Sequence, residues 1–132
     1  KESVNTKERM KKIKNISDLN KDFLVFSGDD ETFIDLLSIG GSGVISVAAN
    51  VIPKAISEIC MHYADDKSRA IELNKHYKRL YKLLFVESNP IPVKWMMYKM
   101  GLIKNSIRLP LIELDKKYHE NITNEMLKLQ LL

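Results

Sequence analysis

The sequence predicts an α/β fold in which the second half of a (β/α)8 TIM barrel is followed by a C-terminal helical subdomain. Two observations lead to this prediction. Residues 24–50 alternate between an apolar run, an amphipathic helix and a second β-rich run, which is the pattern of a parallel βαβ unit. The pattern after Asn50 is helical only. A complete barrel needs roughly 250 residues, so a chain of 132 residues is expected to hold only part of one.

A basic amphipathic helix is predicted over Thr6–Ile16. Asn5 or Thr6 is its expected N-cap, because both side chains can accept a backbone hydrogen bond at a helix start. A thin apolar stripe is formed by Met10, Ile13 and Ile16. The lysines and arginine around this stripe have the charge of a nucleic-acid arm. No aromatic residues are interleaved with them, so a solvated helix face is the preferred interpretation.

The first strand of the βαβ unit is predicted over Phe23–Phe26. It ends at an acidic turn, and Asp30 or Thr32 is expected to cap the next helix. The buried side of that helix carries four apolar residues: Phe33, Ile34, Leu36 and Leu37. The paired acids Asp29 and Asp30 could hold a cation or a substrate amine, but residue type at this position favours helix capping.

A glycine turn ends this helix and leads to the second strand, predicted over Val44–Val47. The two strands are expected to be parallel and adjacent. Ligands of such folds bind beyond the carboxyl ends of the strands. We therefore expect the functional site near Gly28 and Asn50.

The remaining helices are predicted over residues 53–64, 67–85, 93–100 and 119–131. Asp65 and Asp66 separate the first two, and the prolines of segment 89–92 are expected to prevent a regular helix there. The predicted organisation is barrel strands and helices over residues 1–64 and an appended helical subdomain over residues 65–132.

The composition is that of a globular protein, with 45% hydrophobic and 29% charged residues. The net charge of +4 is small beside 21 basic and 17 acidic residues, so it supports nucleic-acid binding only weakly. The single Cys60 excludes an internal disulfide and is typical of a reducing cytoplasm. No apolar run approaches the length of about 18 residues that a membrane span needs. A cytoplasmic protein without nucleic-acid or membrane partners is predicted.

No metal site is predicted. His62, His76 and His119 lie on three different predicted helices without the spacing of metal ligands, so they are expected to be surface or half-buried residues. Cys60 lies on an apolar helix face and is expected to be a buried structural thiol. Ser42 belongs to a glycine turn that matches neither a nucleophile elbow nor a phosphate loop.

Five blocks, spread over nearly the whole chain, resemble the dihydrodipicolinate synthase family. They are Lys1-Glu2-Ser3, Ser27-Gly28-Asp29-Asp30, GVISVAAN at 43–50, LFVESNPIPVK at 84–94, and Arg108-Leu109-Pro110-Leu111. Each block is weak alone, but they occur in the family's order and close to its spacing. The resemblance covers only the second half of that enzyme, so the chain is identified as its C-terminal half.

The resemblance implies a class I aldolase-type lyase that uses neither a cofactor nor a metal ion. The family condenses pyruvate with L-aspartate 4-semialdehyde to form 4-hydroxytetrahydrodipicolinate, on the route to diaminopimelate and lysine. Lys1 corresponds to the lysine that ends the sixth strand and forms a Schiff base with pyruvate. The Ile45 carbonyl corresponds to a pyruvate contact. Gly28 and Asp29 correspond to the loop that faces the second substrate.

The resemblance also implies what the chain lacks. The family's proton-relay tyrosines and threonine, and its carboxylate-binding arginine, belong to the first half and have no counterpart here. The chain alone is therefore expected to be inactive, and the missing N-terminal half is its expected partner in a homotetrameric full-length enzyme. Val4-Asn5-Thr6 stands where the family often has a Gly-Asn pair, so the shape of this loop is expected to differ.

Two alternatives remain. A sibling pyruvate-dependent aldolase, such as N-acetylneuraminate lyase or a keto-deoxy sugar-acid aldolase, shares the Schiff-base lysine, although the blocks at 27–30 and 89–94 favour the synthase. A non-catalytic helical interaction module would bind acidic surfaces through the basic face of Lys7–Lys14 and would not need Lys1.

Overall fold

The computed structural model describes residues 1–3, 6–20 and 22–132. Within them the regular elements are α1 (Lys7–Ser17), β1 (Phe26–Ser27), α2 (Phe33–Ser38), β2 (Gly43–Val44), α3 (Pro53–Asp65), α4 (Lys67–His76), α5 (Lys78–Leu83), α6 (Ile91–Lys99) and α7 (His119–Lys128). Short 3-10 helices occupy Ala48–Asn50 and Lys116–Tyr118.

The two strands are parallel neighbours joined through α2, as the βαβ pattern predicts. Phe26 lies opposite Gly43 and Ser27 opposite Val44. Both strands are shorter than predicted, since only Phe26–Ser27 and Gly43–Val44 pair. In the apolar run before β1, Leu24 is 61% exposed whereas Val25 is buried. The βαβ unit therefore consists of two short parallel strands, each with two paired residues, and most of its chain lies in loops and in α2.

Helix α1 begins as predicted at a threonine cap, since the Thr6 hydroxyl accepts a hydrogen bond from Arg9 N (3.3 Å). The alternative cap, Asn5, lies outside the described residues. Met10 is buried, but Ile16 is 67% exposed, so its predicted place in the apolar stripe is wrong. Each step of three residues falls short of a full helical turn, and over two steps the stripe rotates by about 120° away from Met10.

The long helix predicted over 67–85 is in fact two helices that meet at Tyr77. There the backbone N–H of Tyr77 bonds to the carbonyl of Asn74 (3.3 Å), three residues back, with φ −98° and ψ 2°. This tight turn ends α4, and α5 begins at the next residue. Leu80 and Tyr81 on α5 are both fully buried.

The turn predicted over segment 89–92 is confirmed for Asn89 and Pro90 but is wrong for Ile91 and Pro92. Helix α6 begins at Ile91, with Pro92 in its first turn. Proline is compatible with that position because the first backbone N–H groups of a helix have no partner within it. The prolines therefore mark the start of α6.

One apolar core extends through both predicted units. It includes Phe33, Leu37 and Ala48 from the βαβ unit, and Leu80, Tyr81, Leu84, Ile122 and Met126 from the later helices. The domain boundary at residue 64 thus stays a prediction. Over the described ranges, no helix is both long and apolar enough to cross a membrane.

Candidate functional site

Three parallel backbone segments meet beside the carboxyl ends of the strands. Glu2 pairs in parallel with Ser27: its N–H donates to Phe26 O (2.9 Å), and its carbonyl accepts from Gly28 N (2.8 Å). On the other side of β1, Ile45 N donates to Ser27 O (2.8 Å). The segment 1–3 is therefore a third neighbour in the parallel arrangement, which residue pattern alone did not predict.

This pairing brings Lys1 against Gly28. A methyl group built on Gly28 would lie 2.5 Å from Lys1 Cε and would also collide with Ser3 Oγ. The side chains of Lys1 and Ser3 thus both pass close to the glycine, and a side chain at position 28 would force them to move. Three of the sequence-predicted site residues (Lys1, Gly28 and Ile45) consequently stand on adjacent backbone segments.

Asp29 folds back on its own turn. Its Oδ2 accepts hydrogen bonds from Thr32 N (2.9 Å) and from the Thr32 hydroxyl, while Asp29 N donates to Ser27 Oγ (3.1 Å). The carboxylate therefore shapes the turn between β1 and α2 from a half-buried position. Its role toward a second substrate stays a prediction.

Thr32 is the N-cap residue of α2, as predicted, although its side chain makes no capping hydrogen bond, and the alternative cap, Asp30, is wrong. The carboxylate of Asp30 is 1% exposed and reaches the loop after β2. Its Oδ1 accepts from the Ser46 hydroxyl, and its Oδ2 accepts from Val47 N (3.0 Å) and Ala48 N (3.1 Å). Burial raises the pKa of Asp30, against the opposing effect of these hydrogen bonds.

The connection made by Asp30 is the site feature that residue spacing missed. Its partners lie 16 to 18 residues further along the chain. The available signal was the parallel pairing itself, since adjacent parallel strands place both of their carboxyl-end loops at one edge. The pairing predicts that the two loops are close together, but it does not identify which acidic residue connects them.

The later helices contact the same turn through α5. Lys78 Nζ donates to the carbonyl of Glu31, and the ring of Tyr81 meets Phe33 edge-on at 6.4 Å. The Tyr81 hydroxyl is buried and has no hydrogen-bond partner among the described residues. Burial raises the pKa of Tyr81, and the negative charge of Asp30 adds to the rise. Lys78 and Tyr81, which belong to the predicted helical subdomain, therefore contact the turn between β1 and α2 and the start of α2.

The three histidines, Cys60 and Ser42 were not assigned to the functional site, and their positions are as follows. His62 is half-buried, His76 exposed, and half-buried His119 stacks on Trp95 with ring centroids 4.7 Å apart. Cys60 is half-buried, less than predicted, because only part of its surface packs against the core. Burial raises the pKa of its thiol. Ser42 lies in the predicted helix-to-strand turn, where its N–H donates to Val25 O (2.8 Å).

The basic face of α1 is largely engaged within the chain. Arg9 pairs with Glu2 (3.0 Å), Lys12 with Glu8 (2.7 Å), and Lys14 with Asp18. These ion pairs reduce the charge available to an acidic partner. They favour a solvated helix face over an interaction surface.

A family comparison covers almost the whole chain. The model of the "Dihydrodipicolinate synthetase family" matches residues 1–129. Among curated relatives, 4-hydroxy-tetrahydrodipicolinate synthase of Pseudomonas aeruginosa is 46% identical over 127 residues, which are 96% of this chain and 43% of that protein. The synthase of Nitrosomonas europaea is 52% identical over 107 residues, which are 80% of this chain and 37% of that protein.

Solved structures agree with the sequence relatives. A dihydrodipicolinate synthase from Thermotoga maritima superposes on the whole chain with a TM-score of 0.96 at 37% identity, and the match covers 45% of that structure. A chloride-inhibited dihydrodipicolinate synthase from Acinetobacter baumannii, complexed with pyruvate, has a TM-score of 0.90 and 42% identity over 100% of this chain and 45% of that structure. The chain thus spans less than half the length of these proteins. The similarity supports a partial TIM-barrel fold.

Proposed function

Because this chain belongs to the dihydrodipicolinate synthetase family, we propose that it forms the second half of a 4-hydroxy-tetrahydrodipicolinate synthase barrel and contributes the Schiff-base lysine. The observation that carries the proposal is the position of Lys1, whose side chain crosses Gly28 beside the strand that leads to Ile45. In TIM barrels the active site lies at the carboxyl ends of the strands, so a primary amine at that position is well placed to react with a substrate.

The proposed reaction begins when Lys1 Nζ attacks the carbonyl carbon of pyruvate. Loss of water leaves a protonated imine, which draws electrons from the neighbouring methyl group and lets it lose a proton. The resulting enamine carbon then attacks the aldehyde carbon of L-aspartate 4-semialdehyde, forming the new carbon–carbon bond. The Ile45 carbonyl would contact pyruvate, while Gly28 and Asp29 would face the aldehyde substrate.

The first half of the barrel would supply the groups that transfer protons and bind the substrate carboxylate. We further propose that the complete enzyme is a cytoplasmic homotetramer. The family resemblance supports this assembly, and light scattering of the complete protein would test it.

The proposed function is tested by trapping the imine. The complete protein is incubated with pyruvate and borohydride, and the reduced adduct is located by peptide mass mapping. We expect one adduct, on Nζ of Lys1, and turnover with L-aspartate 4-semialdehyde. An adduct combined with turnover of N-acetylmannosamine instead would indicate a sialic-acid lyase, and no trapped lysine would overturn the proposal.

Replacing Gly28 with alanine is expected to slow adduct formation by roughly ten- to a hundredfold, because a misplaced reacting group loses much of the advantage of orientation. The added methyl group would occupy the space of Lys1 Cε. The rate is read from intact mass after timed borohydride quenching of the complete protein.

Gly101→Ala is the matched control for the glycine replacement. Its φ of +74° strains an alanine, but no atom of the described residues outside its chain neighbours lies within 4 Å of the added methyl group. This variant should lose stability and keep the normal rate of adduct formation. An unchanged rate in Gly28→Ala would show that Lys1 does not depend on the space above Gly28.

A further inference from the structure

The peptide after Ile45 is held from both sides. On one side, Ile45 N donates to Ser27 O (2.8 Å), which ties it to β1. On the other side, the next three residues all donate to the Asp30 carboxylate: Ser46 through its hydroxyl, and Val47 and Ala48 through their backbone N–H groups. The direction of the Ile45 carbonyl is therefore determined by β1 before it and by Asp30 after it.

A carboxylate is well suited to this task. It is an acceptor only, with two oxygens, and the three donors require three acceptor positions. Asp30 is buried, and so is its hydrogen bond with Ala48 N, so removing the carboxylate would leave this N–H group without an acceptor. The Ser46 hydroxyl also accepts from Ala49 N (2.9 Å), which extends the arrangement into the 3-10 helix.

We propose that Asp30 is a positioning residue for the synthase: it holds the loop after β2 so that the Ile45 carbonyl faces bound pyruvate. This inference rests on the proposed function. Asp30 is assigned no contact with the substrate, because its oxygens are engaged by the loop. It acts through the backbone of residues 46–48.

The assignment is tested by steady-state kinetics of the complete protein with Asp30→Ala and Asp30→Asn. We expect Asp30→Ala to raise KM for pyruvate by about tenfold or more, as loss of a supporting hydrogen-bond partner does at other sites. The KM for the aldehyde, measured at saturating pyruvate, should stay within about twofold of wild type, because the orientation penalty falls on pyruvate.

Asp30→Asn should recover most of the affinity for pyruvate. Its remaining oxygen can accept from Val47 N and Ala48 N, and its amide can donate to Ser46 Oγ, which has a second lone pair. Glu125→Gln is the matched control, since Glu125 is similarly buried at 3% exposure and pairs with Arg79 on α5 (3.2 Å). It should lower stability without changing KM for pyruvate.

Ser46→Ala supplies a second test should Asp30→Ala fail to fold. It removes one of the three donors, and we expect KM for pyruvate to rise by about threefold, from the loss of one hydrogen bond to Asp30. If folded Asp30→Ala or folded Ser46→Ala binds pyruvate like wild type, the assignment of Asp30 is overturned while the proposed function stands. If wild type itself traps no pyruvate, the proposed function falls first.

Discussion

Replacing Lys1 with arginine in the complete protein is expected to lower kcat/KM by roughly a thousandfold or more, as removal of a covalent nucleophile does in other enzymes. Arginine keeps the positive charge and a similar length, so the loss would come from chemistry rather than from electrostatics. Its guanidinium group remains protonated and cannot form an imine with pyruvate. Turnover is measured with pyruvate and L-aspartate 4-semialdehyde, and adducts by borohydride trapping.

The control for this substitution is Lys54→Arg. Lys54 lies in the first turn of α3 with its side chain 89% exposed, and its nearest carboxylate, on Glu58, is 3.9 Å away. This variant should keep wild-type kcat/KM. If Lys1→Arg keeps measurable turnover and still forms a reducible pyruvate adduct on another lysine, Lys1 is not the imine-forming residue.

Local signals were sufficient for the order of the elements in the βαβ unit and for the end of α2. Of the four apolar residues predicted for the buried side of α2, three are buried (Phe33, Leu36 and Leu37) and Ile34 is half-buried. Gly40 ends that helix with φ +88°, a conformation that glycine adopts at little cost. These features depend on residues that are close together in sequence, so they can be predicted from a single chain segment.

Features that depend on distant residues could not be predicted in the same way. An acidic residue after a strand could either cap α2 or form a bridge to Ser46, and the sequence around Asp30 is compatible with both arrangements. Burial favours the bridge, because the N–H group of Ala48 is removed from water and needs an acceptor. The register that brings them to Asp30 is a property of the folded chain.

The site itself was reached through resemblance more than through residue type. Lys1 alone indicates nothing about reactivity, and Gly28 alone indicates a turn. Their relation becomes visible only when segment 1–3 pairs with β1 and the Lys1 side chain crosses position 28. The geometry therefore adds a physical reason for glycine at this place, namely room for the lysine.

The 132-residue chain on its own is expected to show no measurable synthase turnover and to associate with itself. Two sheet edges, one on segment 1–3 and one on β2, would pair with the first half of the barrel in the proposed enzyme. Without it, apolar side chains such as Phe23 (58% exposed), Ile45 (52%) and Phe85 (46%) face solvent. Size-exclusion chromatography with light scattering, together with a turnover assay, checks both expectations.

Adding the first half of the barrel distinguishes inactivity caused by the missing half from inactivity caused by loss of the imine-forming lysine. Co-expression of this chain with the N-terminal half of the Pseudomonas aeruginosa synthase should yield a mixed barrel with reduced self-association and with turnover that depends on Lys1. A Lys1→Arg chain in the same mixture should assemble equally well and remain inactive, because the edges are covered but the imine cannot form. A monomeric, well-folded and fully active isolated chain would contradict the half-barrel interpretation, since no first-half residue would then be needed for proton transfer.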